Sequence, residues 1–237
     1  MNTFLDSMTT ALMWVGTGDG TLWSVVGRSL WVSGWACALA ALPALAMGAL
    51  IASHDFRLKP VVNVVLQTFL AIPSVVLGLL VYLLLSRSGP LGGLGWLFSV
   101  KAMVLAQALL VLPLMTALAR QTIEQAGPDA QDQLRSMGAG AWMRATILCW
   151  DKREALLLVL IVGFSRAVSE VGAVMVVGGN IEGFTRVMTT AIALETSKGD
   201  LPMALGLGVV LLAVVLLLNA LVGVLGAWAQ RQRQGVQ

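Results

Sequence analysis

Charge is what this chain has least of. Only 11% of its 237 residues are Asp, Glu, Lys or Arg, where a soluble domain carries about 25%. With 58% apolar residues, too little polar surface remains to cover a water-soluble sphere, and a soluble globular enzyme is excluded. Cysteine is nearly absent as well. Cys37 sits in the first apolar block and Cys149 at the edge of a long polar segment, a placement that makes neither a disulfide framework nor a metal site. The first basic residue is Arg28, so the opening stretch has no charged n-region and does not read as a cleaved signal peptide. The net charge of +3 is not a nucleic-acid signature, because the basic residues are scattered between apolar blocks rather than gathered on one face. Anionic lipid headgroups and loop orientation account for it.

What the sequence does have is long apolar runs. Five blocks, at 30–52, 61–85, 102–119, 155–179 and 203–229, have the length that a hydrocarbon core about 30 Å thick demands of a helix rising about 1.5 Å per residue. Their backbone must be helical, since lipid offers no partner to free N–H and C=O groups. Ahead of them, Phe4, Leu5, Met8 and Leu12 stand near helical spacing before glycines at 16, 18 and 20. This segment, 1–29, is too short and polar to span and reads as interfacial. If the segment between the third and fourth blocks is cytoplasmic, that side holds Arg57, Lys59, Arg120, Arg135, Arg144, Lys152, Arg153, Arg231 and Arg233. The other side holds Arg87, Lys101, Arg186 and Lys198, which places the N-terminus outside and the C-terminus inside.

Pro43, Pro73 and Pro113 fall inside three blocks and predict kinks. Gln67 and Gln107 each precede such a proline by six residues. Glutamines there either bond to freed carbonyls and neighbouring helices or line a polar route. Asn219 and Gly223, one turn apart in the last block, read as a close helix-packing pair.

The polar run 120–154 is too long for a tight helix connection. Within it, Asp132, Gln133, Leu134, Met137, Trp142 and Ile147 predict a short amphipathic helix, a turn at Gly138 to Gly140, and a second helix. This resembles the cytoplasmic coupling loop of ATP-binding-cassette importer permeases, with the pattern Glu-Ala-Ala, three residues, Gly, then a hydrophobic residue and Leu-Pro. Gly138 falls on the motif glycine, Trp142 on a frequent aromatic position and Leu148 on the hydrophobic one. Asp132-Gln133-Leu134 stands in place of Glu-Ala-Ala and Trp150-Asp151 in place of Leu-Pro. The alternative is a solvated amphipathic loop with no partner. Further runs, "SEVGAVMVVGGN" at 169–180, "TRVMTTAI" at 185–192, "LETSKGD" at 194–200 and "AIPSVVLGLLVYLLLSRSGPLGGLG" at 71–95, resemble the molybdate, sulfate and tungstate branch of these permeases, and within it the tungstate subunits most.

The fourth block carries Arg166 and Glu170. An ionised group at the membrane centre costs about 2.5–3.5 kcal/mol even on insertion scales, so such residues are paired or functional. Four apart, they share a helix face, though with Arg first the order is the weaker one for such a pair. One reading is an ion pair clamping helices. The other is that Arg166 offers a fork of donors to a passing oxyanion, with Glu170 holding the side chain and moderating its grip. Ser169 belongs to the same path or gate, with Gln67 and Gln107. Ser165, Thr185, Thr189 and Thr190 are hydroxyl donors that equally well bond to their own backbone. The segment beyond Asn180, with Arg186, Glu195, Lys198 and Asp200, reads as extracytoplasmic.

These features predict an all-α integral membrane protein: five transmembrane helices, an N-terminal interfacial segment and a coupling-helix loop at 120–154, in one permease domain. No GxxxxGK[ST] occurs in the chain, so nucleotide falls to another polypeptide. The resemblance implies a homodimer in a bacterial or archaeal inner membrane. Two cytoplasmic ATPase subunits would bind ATP and Mg, an extracytoplasmic protein would deliver the oxyanion, and this chain would hold no cofactor. Tungstate import is the expected function, with molybdate or sulfate import as alternatives of the same fold. An ion-coupled secondary transporter using Arg166 and Glu170 as a relay is the alternative of a different class. The coupling residues are Asp132, Leu134, Met137, Gly138, Trp142 and Leu148.

Overall fold

The computed structural model describes residues 8, 9, 13, 16, 20–54, 56–125 and 128–234, with residues 128, 129, 131 and 227–234 described by backbone alone. Most of the predicted interfacial segment, and the Arg231 and Arg233 side chains used to orient the chain, lie outside the described residues. The described chain is helical, without strands: α1 Gly20–Ser53, α2 Lys59–Ala71, α3 Ser74–Leu85, α4 Val100–Glu124, α5 Pro128–Ser136, α6 Ala141–Asp151, α7 Arg153–Val168, α8 Gly172–Gly178, α9 Met188–Lys198 and α10 Leu201–Gln234. By length and composition α1, α4 and the stretch Leu201–Gly226 of α10 can each cross a membrane, and the pairs α2–α3 and α7–α8 pass the same test as bent spans. α1 starts at Gly20, ten residues ahead of the apolar block's edge.

The three interior prolines have different outcomes. Pro43 and Pro113 remain inside continuous helices. Pro73 ends one: Ile72 before it is extended (φ −63°, ψ 126°), as the ring's clash with the preceding residue requires. The Pro73 carbonyl then accepts Val76 N–H at 2.9 Å and starts α3. Pro60, in the first turn of α2, suits a helix start because its missing N–H would have had no partner there. α7 and α8 meet at 59° across residues 169–171. No proline accounts for that break.

The chain packs as two compact units. The first comprises Met1–Ala36, Pro73–Gln107 and Ser165–Leu217, and the second Cys37–Ile72, Ala108–Phe164 and Leu218–Gln237. In the first, Val81, Leu85, Met103, Ala106, Val174 and Val177 form an apolar core. α3 and α8 touch through Gly78, where a methyl group would sit 2.7 Å from the Ala173 Cα. In the second unit, Met115, Ile123, Leu148 and Val159 are buried. Its ion pair Lys59–Glu124 at 3.5 Å ties α2 to α4, and Arg120 Nη1 donates to Asn63 Oδ1 across the same two helices. Large apolar side chains also face outward, among them Trp31, Leu42, Val64, Leu212 and Leu216. Such a surface suits lipid, not water.

Candidate translocation gate and coupling segment

The break between α7 and α8 concentrates polar chemistry in the first unit. Ending α7 at Val168 and restarting at Gly172 strands backbone groups that must find partners inside an apolar setting. Gln107 Nε2 donates to the Ala167 carbonyl at 2.9 Å, and Thr189 Oγ1 donates to the Glu170 carbonyl at 2.7 Å. Glu170 Oε1 accepts the Ala173 N–H at 3.2 Å and so satisfies a first-turn donor of α8. Its other oxygen accepts from Arg166 Nη1 at 2.7 Å.

The pair expected from the sequence therefore forms, but not as two residues buried on one helix face. Glu170 lies beyond the end of α7, which frees the pair from the orientation rule for helical neighbours. The Glu170 side chain is 3% exposed and that of Arg166 42%. Arg166 is thus held from behind by a buried carboxylate, and the rest of its fork faces out. Among the described residues no other carboxylate pairs with it.

Of the remaining gate candidates, Gln107 joins the cluster, with its Oε1 buried and lacking a hydrogen-bond partner. Ser169 adjoins it, its hydroxyl donating to the Ser165 and Arg166 carbonyls at 3.0 and 3.1 Å. Gln67 is exposed on α2 in the second unit, outside this cluster. The shared six-residue spacing to a proline does not give the two glutamines a shared environment. Thr185 and Thr190 donate to the Gly178 and Val187 carbonyls, so their hydroxyls serve the loop backbone. Beyond Asn180, the segment read as external forms α9, in which Glu195 is buried and pairs with Lys198 at 3.0 Å. Sequence reasoning did not single out Arg28, whose guanidinium donates to the Arg186 and Gly183 carbonyls at 2.9 Å each and fixes that loop to α1.

In the second unit, 128–151 forms the expected helix, turn and helix. Gly138 has φ +78°, the left-handed conformation that glycine adopts without penalty. Its N–H bonds to the Arg135 carbonyl at 2.9 Å, and Ala139 N–H to that of Leu134 at 3.0 Å, closing α5. Met137 and Trp142 are 75% and 69% exposed, an apolar pair standing on the turn. Asp132 is exposed and Leu134 half-buried. Leu148 is buried and anchors α6 instead of facing outward. Burial pushes the Cys149 thiol above its usual value. Arg144, counted in the sequence only among the cytoplasmic-side cations and given no site role, is buried with Nε and Nη1 lacking hydrogen-bond partners. Its only signal was its place on the α6 face that also carries Ala145 and Leu148.

A chain of apolar helices exposing large apolar side chains, with a few charged groups committed to helix breaks and turns, is a multi-pass membrane protein. No family model matches the chain. It is 40% identical over 204 residues to the tungstate uptake system permease protein TupB of Peptoclostridium acidaminophilum, covering 86% of this chain and 90% of that one. It is 38% identical over 165 residues to the Campylobacter jejuni TupB, covering 70% and 69%. Against the molybdenum transport system permease protein ModB of Escherichia coli K12 the identity is 30% over 192 residues, covering 75% and 82%. The chain belongs to the ABC transporter permease family, in the branch of tungstate, molybdate and sulfate uptake permeases. It is accordingly the membrane subunit of an ATP-driven uptake system and not itself an enzyme, and an ATPase and a substrate-binding component are its general partners. This membership leaves the ion-coupled secondary transporter without support.

Proposed function

We propose that the chain is the permease of a tungstate importer, moving the oxyanion by alternating access with the α7–α8 break as its gate. The observation that carries the gate is the asymmetric Arg166–Glu170 pair. The guanidinium is half-exposed and presents donors that match a tetrahedral oxyanion, while buried Glu170 keeps it in place and weakens its hold. A path must release what it admits. Tungstate, ahead of molybdate or sulfate, is supported by the identity to the two TupB proteins.

In this reading α2–α3 and α7–α8 each count as one span, giving five, with the N-terminus outside and the C-terminus in the cytoplasm. Two copies form the path. Asp132, Leu134, Met137, Gly138 and Trp142 present α5, the turn and the start of α6 to a cytoplasmic ATPase, and Leu148 anchors α6 beneath them. Each of two ATPase subunits binds ATP and Mg, and its closure drives the rigid-body change that opens one side and shuts the other. An extracytoplasmic binding protein delivers the anion.

The test is uptake by the complete system reconstituted in vesicles, with tungstate, molybdate and sulfate in competition, for the wild type and Arg166→Ala. Tungstate uptake driven by ATP and lost in the variant, with the complex still assembled, is expected. Unchanged uptake by Arg166→Ala would remove the gate, and uptake by this chain alone on an ion gradient would overturn the whole reading.

A further inference from the structure

The second unit contains an open groove of about 820 Å³ between the end of α1, α6 and the start of α7. Ala46 and Ala49 come from α1, Trp142 and Trp150 from α6, and Leu157 from α7, and among the described residues the charged ones lining it are Arg153 and Glu154. The gate does not use it, and the coupling segment shares only Trp142 at its edge. Its volume falls in the range of ligand sites.

We propose that this groove binds one anionic glycerophospholipid, with an acyl chain along α1 and α7 and the phosphate on Arg153. Three observations select that occupant. The α1 contribution lies within the last turns before the helix ends at Ser53, and polar residues resume at the α6–α7 junction. The groove therefore spans the depth at which hydrocarbon gives way to headgroups. Trp142 and Trp150 are 69% and 73% exposed beside it, placed as aromatic residues are at a membrane interface.

Arg153 is both oriented and uncommitted. Its Nη1 donates to the Trp150 carbonyl at 3.0 Å, and its guanidinium carbon lies 5.2 Å from the Trp150 ring centroid. No carboxylate pairs with it among the described residues, whereas neighbouring Lys152 is held by Asp151 at 3.0 Å. Glu154 stands in the first turn of α7, where the helix dipole offsets its charge. A fixed cation beside an apolar slot matches a molecule with one anionic end and one hydrocarbon end. A flat protein surface offers no such pairing.

The full-length chain, assembled in nanodiscs of equal parts phosphatidylglycerol and phosphatidylcholine, is released and weighed by native mass spectrometry. The wild type should retain phosphatidylglycerol in preference. Arg153→Gln should lower that preference about fivefold, as expected for one basic residue at a charged lipid surface. Filling the groove with Ala46→Phe, or with Leu157→Trp should the first variant fail to fold, should reduce retention of both lipids. No preference in the wild type, or a preference unmoved by Arg153→Gln, would overturn the proposal. Loss of the lipid on adding the ATPase subunit or on pairing of two copies would instead assign the groove to a protein interface and refute the lipid site.

Discussion

Replacing Glu170 by Leu should destabilise the chain in mild detergent by about 2–3 kcal/mol, in two parts. Losing the acceptor for the Ala173 N–H leaves a buried helix-start donor unmet, at about 1 kcal/mol. Breaking a fully buried ion pair costs about 3–5 kcal/mol. The Arg166 side chain, however, is 42% exposed and regains much of its solvation, so the pair contributes about 1–2 kcal/mol, between the buried and exposed limits. Glu170→Gln keeps an acceptor and loses the charge, and should cost about half as much as Leu. A chain of this length loses about 2–4 °C of Tm per kcal/mol, so the Leu variant should melt about 5–10 °C early. The buried Cys37 and half-buried Cys149 supply the readout, through a dye that fluoresces on reacting with thiols exposed by unfolding. A Leu variant melting with the wild type would refute the reasoning. Equal losses for Leu and Gln would remove the helix-start contribution and leave only the charge.

Gly138→Val should lower ATP hydrolysis coupled to transport in the assembled complex, because φ +78° strains a β-branched residue even though the space beside Gly138 is open. Gly138→Asn should retain more coupling, since Asn tolerates that conformation, and equal activity of the two variants would argue against a backbone cause. Gly78→Leu should destabilise the chain by about 1–3 kcal/mol in the same thiol-dye melt, through crowding of α3 against α8; an unchanged Tm would contradict the contact. Alkylation of Cys149 should be slower in the folded than in the denatured chain at neutral pH, and should accelerate as pH rises above the usual thiol range. The reactive species is the thiolate, and burial raises the pKa at which it forms. A time course with matching folded and denatured rates would show that the thiol is not shielded.

The membrane class and the helix-turn-helix at 128–151 were legible because both rest on local patterns: apolar runs of spanning length, and a glycine, Gly138, where the turn takes φ +78°. The break at 169–171 was not. The run "SEVGAVMVV" contains no proline, and the side chains that satisfy its freed carbonyls, Gln107 and Thr189, lie 60 and 19 residues away in sequence. Prolines were a poor guide for the converse reason. Pro113 is accommodated within a long packed helix, whereas Pro73 stops one, and the tripeptides around them do not distinguish the cases. Arg166 and Glu170 were found as a costly pair in an apolar block, but which of the two is buried depends on where α7 ends. Leu148 occupies the motif's hydrophobic position, but its burial comes from packing within the unit, which the local pattern does not display.

Glu170 holds three helices with three different atoms. Its carbonyl is bound to α9 through Thr189, one carboxylate oxygen to α8 through the Ala173 N–H, and the other to α7 through Arg166. A single residue fastened this way removes the slack between the helices. None of them can shift by more than the play of a hydrogen bond unless the others move with it or a bond parts. Rearrangement at this point should therefore occur as one concerted event, with no stable halfway position in which one helix has moved and its neighbours have stayed.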